Sequence, residues 1–513
     1  MADSVVAPPG DDVPSPPRHT FVLSDVHLAD GEPADPAKPF WRRYKAPEHF
    51  VDDTFLRFLD HARELAGGAR SELVLNGDFF DFDCVLAVPE APDFEVSWLE
   101  RARGLAAEEA KSVWKLQRIL DAHPRLLQGL RDWLDEGHDI VYVVGNHDLE
   151  MHWPAAQALW LSALDRTPER PAGVRFCAWF YLAGGDMLVT HGNQLDPYCL
   201  CHDPLHPFVQ SDGRTRVRLP FGDIAGKYLS NGIGFFNPHV ESTFVKSLPE
   251  WVVFFYRHVL RQQPFILWTW LWSSVAALLM GLGEGFRPAL RDPLKLAARV
   301  DEVAEQSRTS PSVVHALHAV RVHPGVFRPL KVARELWLDR AFLLAAVGVL
   351  SLQATSTLHL FAGISPWWFV AFLMLSLPPV LFYAARVDSD VTEVDRNIQR
   401  KLRLLARIAG ADKVVMGHTH RAMHQLHDEV AYINTGDWAP AFSDMACTEP
   451  AGTRGFAWLG PGDGQRRKLE LRRWDGASSC RMEPVVVPQS RLGKLADRLR
   501  KGKAARPAEV VGA

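Results

Sequence analysis

Five short apolar runs in this 513-residue chain each stop at a small group of carboxylate, imidazole or amide side chains. HTFVL runs into SDVHL, ELVLN into GDFFD, DIVYVV into GNHDL, DMLVT into HGNQLD, and KVVM into GHTHR. Each run is short, rich in Val, Leu and Ile, and bounded by glycine or polar residues, so each is predicted to be a buried strand. Each polar group then falls on the loop just past a strand, which is where open α/β sheets bind ligands. Helical patterns over 50–66 and 97–135 separate the first three runs. The stretch 172–190 is predicted to be a hairpin turning at Gly184–Gly185, and further strands are expected in EVAYINTGDW, near 455–459 and near 469–474.

The length suffices for two or three domains and a full core. A net charge of −4 gives no global signal for nucleic acid, and none is expected as a partner. The cysteines are too few and too scattered for a disulfide framework, and Cys84, Cys177, Cys447 and Cys480 are expected to be reduced thiols of a cytoplasmic protein. The opening MADSVVAPPGDDVPSPP has no basic or apolar signal region, so residues 1–17 are expected to be a disordered, proline-rich tail.

The middle of the chain, 206–400, has a different character and is expected to be a helical insertion between two halves of one domain, 18–205 and 401–478. No charge occurs from Pro264 to Gly283 or from Ala341 to Ala385. The second stretch is long enough for two helices, Leu344–Leu360 and Trp367–Ala384, joined by FAGISP. Buried core helices, or faces covered in a homo-oligomer, are the alternatives to membrane association. The strands on either side of the insertion must build one site, so they must lie on one side of any membrane. Arg257 and Arg261 precede the first apolar segment, and Arg287 and Arg291 follow it. Arg334 and Arg340 precede the second, Arg386 follows the third, and only the turn between the second and third lacks charge. The positive-inside rule then makes 341–385 a hairpin crossing twice with both ends, and the strand-bearing domain, on the cytoplasmic face of the inner (plasma) membrane. The segment 264–283 would be re-entrant or interfacial, with Trp268, Trp270 and Trp272 at headgroup depth. The basic tail 479–513 contains SRLGKLADRLRKGKAAR, which either lies on an anionic leaflet or is simply solvated.

The strand-end residues form a metal-ligand inventory. Two neighbouring divalent cations need oxygen and imidazole ligands and a bridging carboxylate, and Mn, Zn and Fe accept such a mixture. Asp25 and His27 sit two apart, Asp78 follows a glycine, Asn146 offers a neutral amide oxygen, His191 opens its loop, and His418 and His420 close the set. Those last two histidines are expected to cap two different metals. One such block alone is weak evidence, since a lone GD or DxH is a frequent accident. Five in order, each at a strand end, are hard to explain by packing.

DxH, GDxxD, GNHD, a lone strand-end His and GHxH in this order resemble the signature of calcineurin-like metallophosphoesterases, over about residues 18–205 and 401–478. The resemblance implies an α/β fold, a β-sandwich of mixed sheets flanked by helices, here with a hydrophobic helical insertion. It implies one metal at Asp25, His27, Asp78 and His420 and a second at Asp78, Asn146, His191 and His418, with Mn2+ favoured and Fe or Zn as alternatives. Asp78 would bridge, together with a hydroxide that attacks phosphorus. His147 resembles the general acid beside the leaving oxygen, and Asp81 the carboxylate that orients it. The implied activity is hydrolysis of a phosphate ester or pyrophosphate. An apolar insertion beside such a site points to an amphiphilic, lipid-linked substrate and to membrane lipid as a partner. SDVHL and GDFFDF are similar to lines of the UDP-2,3-diacylglucosamine diphosphatases, but those enzymes have Arg at the position of His147 and lack such a hairpin. A non-catalytic membrane scaffold on the same fold is the remaining alternative.

Three further features stand outside the signature. Asp196 is expected to receive the free N–H of His191. Cys199, Cys201, His202 and His206 could bind zinc, although their spacing matches no common finger. Arg214, Arg216 and Arg218 alternate along a predicted strand, either facing a phosphate-bearing substrate or forming a solvated edge.

Overall fold

The computed structural model describes residues 19–211, 213–234, 253, 255–260, 264–292, 295–387, 394–462 and 467–487. The tail 1–17 and the basic segment 490–506 lie outside the described residues.

The strands are β1 (His19–Leu23), β2 (Ser71–Asn76), β3 (Asp139–Val143), β4 (Val174–Cys177), β5 (Phe180–Ala183), β6 (Met187–Thr190), β7 (Phe208–Ser211), β8 (Arg214–Val217), β9 (Lys413–Met416), β10 (Met423–His427), β11 (Val430–Asn434), β12 (Gly455–Gly460), β13 (Lys468–Trp474), β14 (Ser479–Met482) and β15 (Val485–Val486). They form a seven-stranded sheet, β14-β13-β12-β1-β2-β3-β4, a six-stranded sheet, β15-β10-β11-β9-β6-β5, and the hairpin β7-β8. Both large sheets are mixed. β1 to β4 run parallel while β12 to β14 run antiparallel, and β6, β9 and β11 run parallel beside antiparallel partners.

Side chains alternate across a strand, and that alternation builds the layers. Val22, Val74, Val141 and Val143 point inward to meet Tyr181, Val189, Val415 and Ile433 of the second sheet. Their neighbours Phe21, Leu23, Leu73, Leu75, Ile140 and Tyr142 point outward into a second core under the helices Asp52–Ala66, Glu109–Ala122, Pro124–Asp135 and Pro154–Ala163. The outer face of the second sheet is covered by Leu296–Gln306, Pro311–Val320 and Val394–Ala409. The chain is therefore a sandwich of two mixed sheets with helices on both faces. The region 206–400 is not wholly separate from that body, because Val300, Val303, Ala304, Val314, Leu317, Val394 and Ile398 belong to its core.

All five apolar runs are strands. The pattern over 97–135 resolves into three helices, broken at Gly104 and at Pro124. The stretch 172–190 differs from the expected single hairpin. β5 and β6 do turn at 184–186, but β4 extends the first sheet parallel to β3, so the chain changes sheets between Cys177 and Phe180.

Ile266–Phe286 and Leu338–Ala362 are long and apolar enough to cross a membrane, and Trp368–Ala384 is a shorter apolar segment of the next helix. At 1.5 Å per residue the 25-residue Leu338–Ala362 is roughly 37 Å long, against about 30 Å of hydrocarbon in a bilayer. It pairs with Trp368–Arg386 through a turn opened by Gly363, and at the base the Tyr383 hydroxyl donates to Asp339 (2.7 Å). The hairpin tip is apolar and open, with Phe361 86% and Trp367 81% exposed. Ile266–Phe286 is one unbroken helix. It lays Ser273, Ser274, Ala277, Gly281 and Glu284 against the globular body, where Phe221, Ile224 and Tyr228 lie under it.

Candidate metal centre

The loops that leave β1, β2, β3, β6 and β9 meet at one edge of the sandwich. Backbone bonds continue past the strands: Asp25 N–H donates to the Gly77 carbonyl (3.1 Å), His27 N–H to that of Asp78 (2.9 Å) and Leu28 N–H to that of Phe79 (2.9 Å). Gly417 N–H donates to the His191 carbonyl (2.8 Å), which joins the loops after β6 and β9 of the second sheet, and His418 N–H donates to Asp25 Oδ2 (3.0 Å), which joins the loops of the two sheets. Two glycines permit this closeness. A Cβ on Gly145 would sit 2.3 Å from Asp78 Oδ1, and one on Gly417 would sit 2.4 Å from Asp25 Oδ2. Asp25, His27, Asp78, His418 and His420 all hold positive φ, between 51° and 70°. That conformation is costly for non-glycine residues and tends to collect at functional sites.

Six of the seven expected ligands converge as two groups of three. Asp25, His27 and His420 bring ligand atoms within 4.8 Å of one another, and so do Asp78, His191 and His418. His418 and His420 thus divide between the groups. Asp78 lies between them, with Oδ2 3.0 Å from His191 Nε2 and 3.9 Å from His27 Nε2. Ring orientation is set from behind. His191 Nδ1 donates to the Asn76 carbonyl (2.9 Å), which leaves Nε2 facing the carboxylates. His27 Nδ1 lies 3.2 Å from Asp81 Oδ2, and His418 Nε2 lies 2.9 Å from Asp196 Oδ2. Asp196 therefore serves His418 and not His191 as expected, because the Asn76 carbonyl already takes the outer nitrogen of His191.

Asn146 donates through Nδ2 to Asp223 Oδ1 (2.9 Å), while its Oδ1 is buried with no hydrogen-bond partner among the described residues. Carboxylates and imidazoles gathered this closely are a donor set a borderline divalent cation takes, and the unpartnered Asn146 oxygen is a further candidate donor of the same kind. Each of the two groups could therefore hold a divalent cation.

Charge in the cluster is balanced by the imidazoles. Burial pushes the Asp25 carboxyl up, but His191 and His420 outweigh it and bring it down to about 2. Burial likewise opposes ionisation of Asp78, and His191 more than reverses it, so the carboxyl falls well below its ordinary range. His191 is raised to about 9: burial works against its charge, while Asp78 and Asp25 favour it. His147 is raised well above an ordinary imidazole, because Asp81, Asp78 and Asp223 overcome the burial that opposes its charge. The His147 Nδ1 to Asp81 Oδ1 distance of 3.6 Å makes this an ion pair and not a hydrogen bond.

Sequence reasoning missed two carboxylates here. Asp83 and Asp223 join His147 in a further group of three, and each keeps one buried oxygen without a hydrogen bond. Asp83 lies just past the GDFFD block, but Asp223 is far from every block in sequence and carried no signal. Asp148, also unremarked, accepts from Phe79 N–H (3.0 Å), Gly145 N–H (2.6 Å) and the Tyr142 hydroxyl (2.6 Å), tying the β2 and β3 loops together.

The other candidates are placed elsewhere. Arg214 pairs with Glu95, Arg216 with Glu284, and Arg218 with the Arg287 carbonyl and His202. The three arginines are thus engaged by the protein, and two of them clamp the β7–β8 hairpin to the end of Ile266–Phe286 and the residue after it. The four residues Cys199, Cys201, His202 and His206 form no ligand group among the described residues. Cys201 is in the apolar core, and Cys199 sits beside Asp196 and His418. All six cysteines are free.

Comparison with protein families, with curated proteins and with solved structures finds no match for this chain.

Proposed function

We propose that the chain is a membrane-seated phosphoesterase of the calcineurin-like type, hydrolysing a phosphate ester or pyrophosphate with two divalent cations. The observation that carries this reading is the pair of neighbouring ligand groups with Asp78 between them, together with a buried amide oxygen on Asn146 that has no hydrogen-bond partner among the described residues. Asp25, His27, Asp78 and His420 would hold one cation, and Asp78, Asn146, His191 and His418 the other. Mn2+ suits the donor set best, with Fe or Zn as alternatives. Bound there, the pair supplies an activated water and positive charge for the phosphate oxygens.

The protein's own residues do the rest. His147 stands beside the ligands with its ring 4.9 Å from that of His27, and it is about a quarter exposed, so one side of it opens to solvent. Asp81 and Asp83 face its Nδ1 at 3.6 and 3.8 Å and favour the protonated ring. His147 would therefore hold a proton near neutral pH and give it to the leaving oxygen. Asp81 also sits behind His27, so one carboxylate steadies both a ligand and the acid.

The hairpin supports the membrane assignment. Its exposed apolar surface runs the length of two helices, far beyond the patch a soluble monomer leaves open. Charge gathers only at its base, around Asp339, Arg340 and Arg386, and both of its ends return to the globular body. Both halves of the sandwich would then lie on one side, which the positive-inside rule makes cytoplasmic. Such a seat suits an amphiphilic, phosphorylated substrate.

The test is to purify the protein in detergent, strip it with chelator and restore Mn2+. Wild type, Asn146→Ala and His147→Ala are then compared on an aryl phosphate, an aryl phosphodiester and a nucleotide-diphosphate lipid. Metal-dependent turnover lost in both variants is expected, and the preferred compound sets the class. No turnover on any compound by a protein with bound metal would overturn the reading in favour of a scaffold.

A further inference from the structure

The ligand blocks all belong to the two halves of the sandwich, yet one residue of the region between them reaches the metal centre. Asp223 lies on the short helix Phe221–Ala225, is fully buried, and accepts from Asn146 Nδ2 at 2.9 Å. An asparagine amide has one donor end and one acceptor end, and only the oxygen can bind a cation. Whatever faces the nitrogen therefore decides whether the oxygen faces the ligands. Asp223 Oδ1 accepts in either protonation state, since the proton of the acid form has the unpartnered Oδ2 to occupy. A reversed amide would set oxygen against oxygen at Asp223 and turn N–H groups toward the cations. No other hydrogen bond to the Asn146 side chain is present among the described residues.

The helix that carries Asp223 is itself held from the far side. Phe221 packs under Gly281 of the apolar helix Ile266–Phe286, where a Cβ would come 2.8 Å from the ring. Farther along the same segment, Lys227 donates to the Leu105 carbonyl, and Asn231 Nδ2 donates to that of Asp83 (2.9 Å). The segment is thus pinned between the apolar helix and the loops of the metal centre.

We propose that Asp223 is a positioning residue for the second cation, turning the Asn146 amide so that its oxygen faces the metal. The inference rests on the two-metal reading and names a residue that the ligand signature does not contain. Partners of this kind, one shell out from a metal, typically contribute about 10- to 100-fold in metal affinity.

The experiment measures Mn2+ binding isotherms of the full chain in detergent, reading free Mn2+ by its EPR signal. Wild type is compared with Asp223→Ala, Asp223→Asn, Asn146→Ala and the Asp223→Ala/Asn146→Ala double variant. Wild type is expected to bind two Mn2+. Asp223→Ala should weaken the second by about 10- to 100-fold and leave the first unchanged. Asp223→Asn keeps an oxygen acceptor and should restore most of that loss, which also covers the case in which Asp223→Ala fails to fold. Because Asp223 acts through Asn146, the double variant should bind no more weakly than Asn146→Ala alone. Unchanged affinity in Asp223→Ala, equal losses in the Ala and Asn variants, or multiplied losses in the double variant would each overturn the proposal. Fewer than two Mn2+ on the wild type would instead overturn the two-metal reading beneath it.

Discussion

At the scale of the residue, the centre is a balance of buried acids and imidazoles, and a cation should change it by displacing protons. His191 is held at about 9 without metal, so it is protonated at pH 7.5. A ligating imidazole must be neutral, so Mn2+ binding should release at least one proton at that pH. Calorimetry in buffers of different ionisation enthalpy measures this, and a buffer-independent heat would contradict it. Gly145 should be as strict as any ligand. Gly145→Ala drives a Cβ into Asp78, and we expect loss of both cations with only part of the fold's stability lost, read by metal content and thermal melting. A separate pH effect comes from His152, which burial lowers to about 3, with Arg299 adding to the shift. The unfolded chain binds that proton at about 6.5 while the folded chain does not. Its contribution is therefore fully present above about pH 6.5 and is lost as pH falls toward 3, approaching 1.4 kcal/mol per unit. Melting temperatures from pH 6.5 to 5 should fall in wild type and fall less in His152→Leu. Parallel slopes would contradict the assignment.

At the scale of the element, the strands that carry ligands were legible because apolar run, glycine and polar group follow one another within a few residues. β4 was not, since VRFC looks the same whether it pairs with β3 or turns back on β5, and only the sheet decides. The clustering of the candidate ligands was legible for the same local reason. Its supports were not: Asp223 comes from the middle of the chain, Asp83 looks like any acidic loop residue, and the histidine nearest to Asp196 in sequence, His191, is not its partner in space, which is His418. The arginines of β8 alternate as expected, but their partners Glu95 and Glu284 lie far away along the chain. The apolar helices were visible from the missing charge alone. If the hairpin only anchors, replacing 341–385 by a short Gly/Ser linker should release the protein from membranes without removing its metals. The Tyr383–Asp339 bond shows that the two ends lie close enough for such a linker. Fractionation with metal analysis checks this, and loss of the metals would give the hairpin a structural role.

At the scale of the molecule, two mixed sheets packed face to face bring five loop ends from both halves of the chain to one edge. The apolar region between those halves contributes core helices to the second sheet, a clamp at β8 and Asp223 at the candidate metal site. The most direct test of the central claim is anomalous scattering from a crystal of the protein grown with Mn2+. We predict two peaks about 3.5–4 Å apart on either side of Asp78, one against His27 and His420 and the other against Asn146, His191 and His418. A single peak, none, or peaks away from Asp78 would contradict the account.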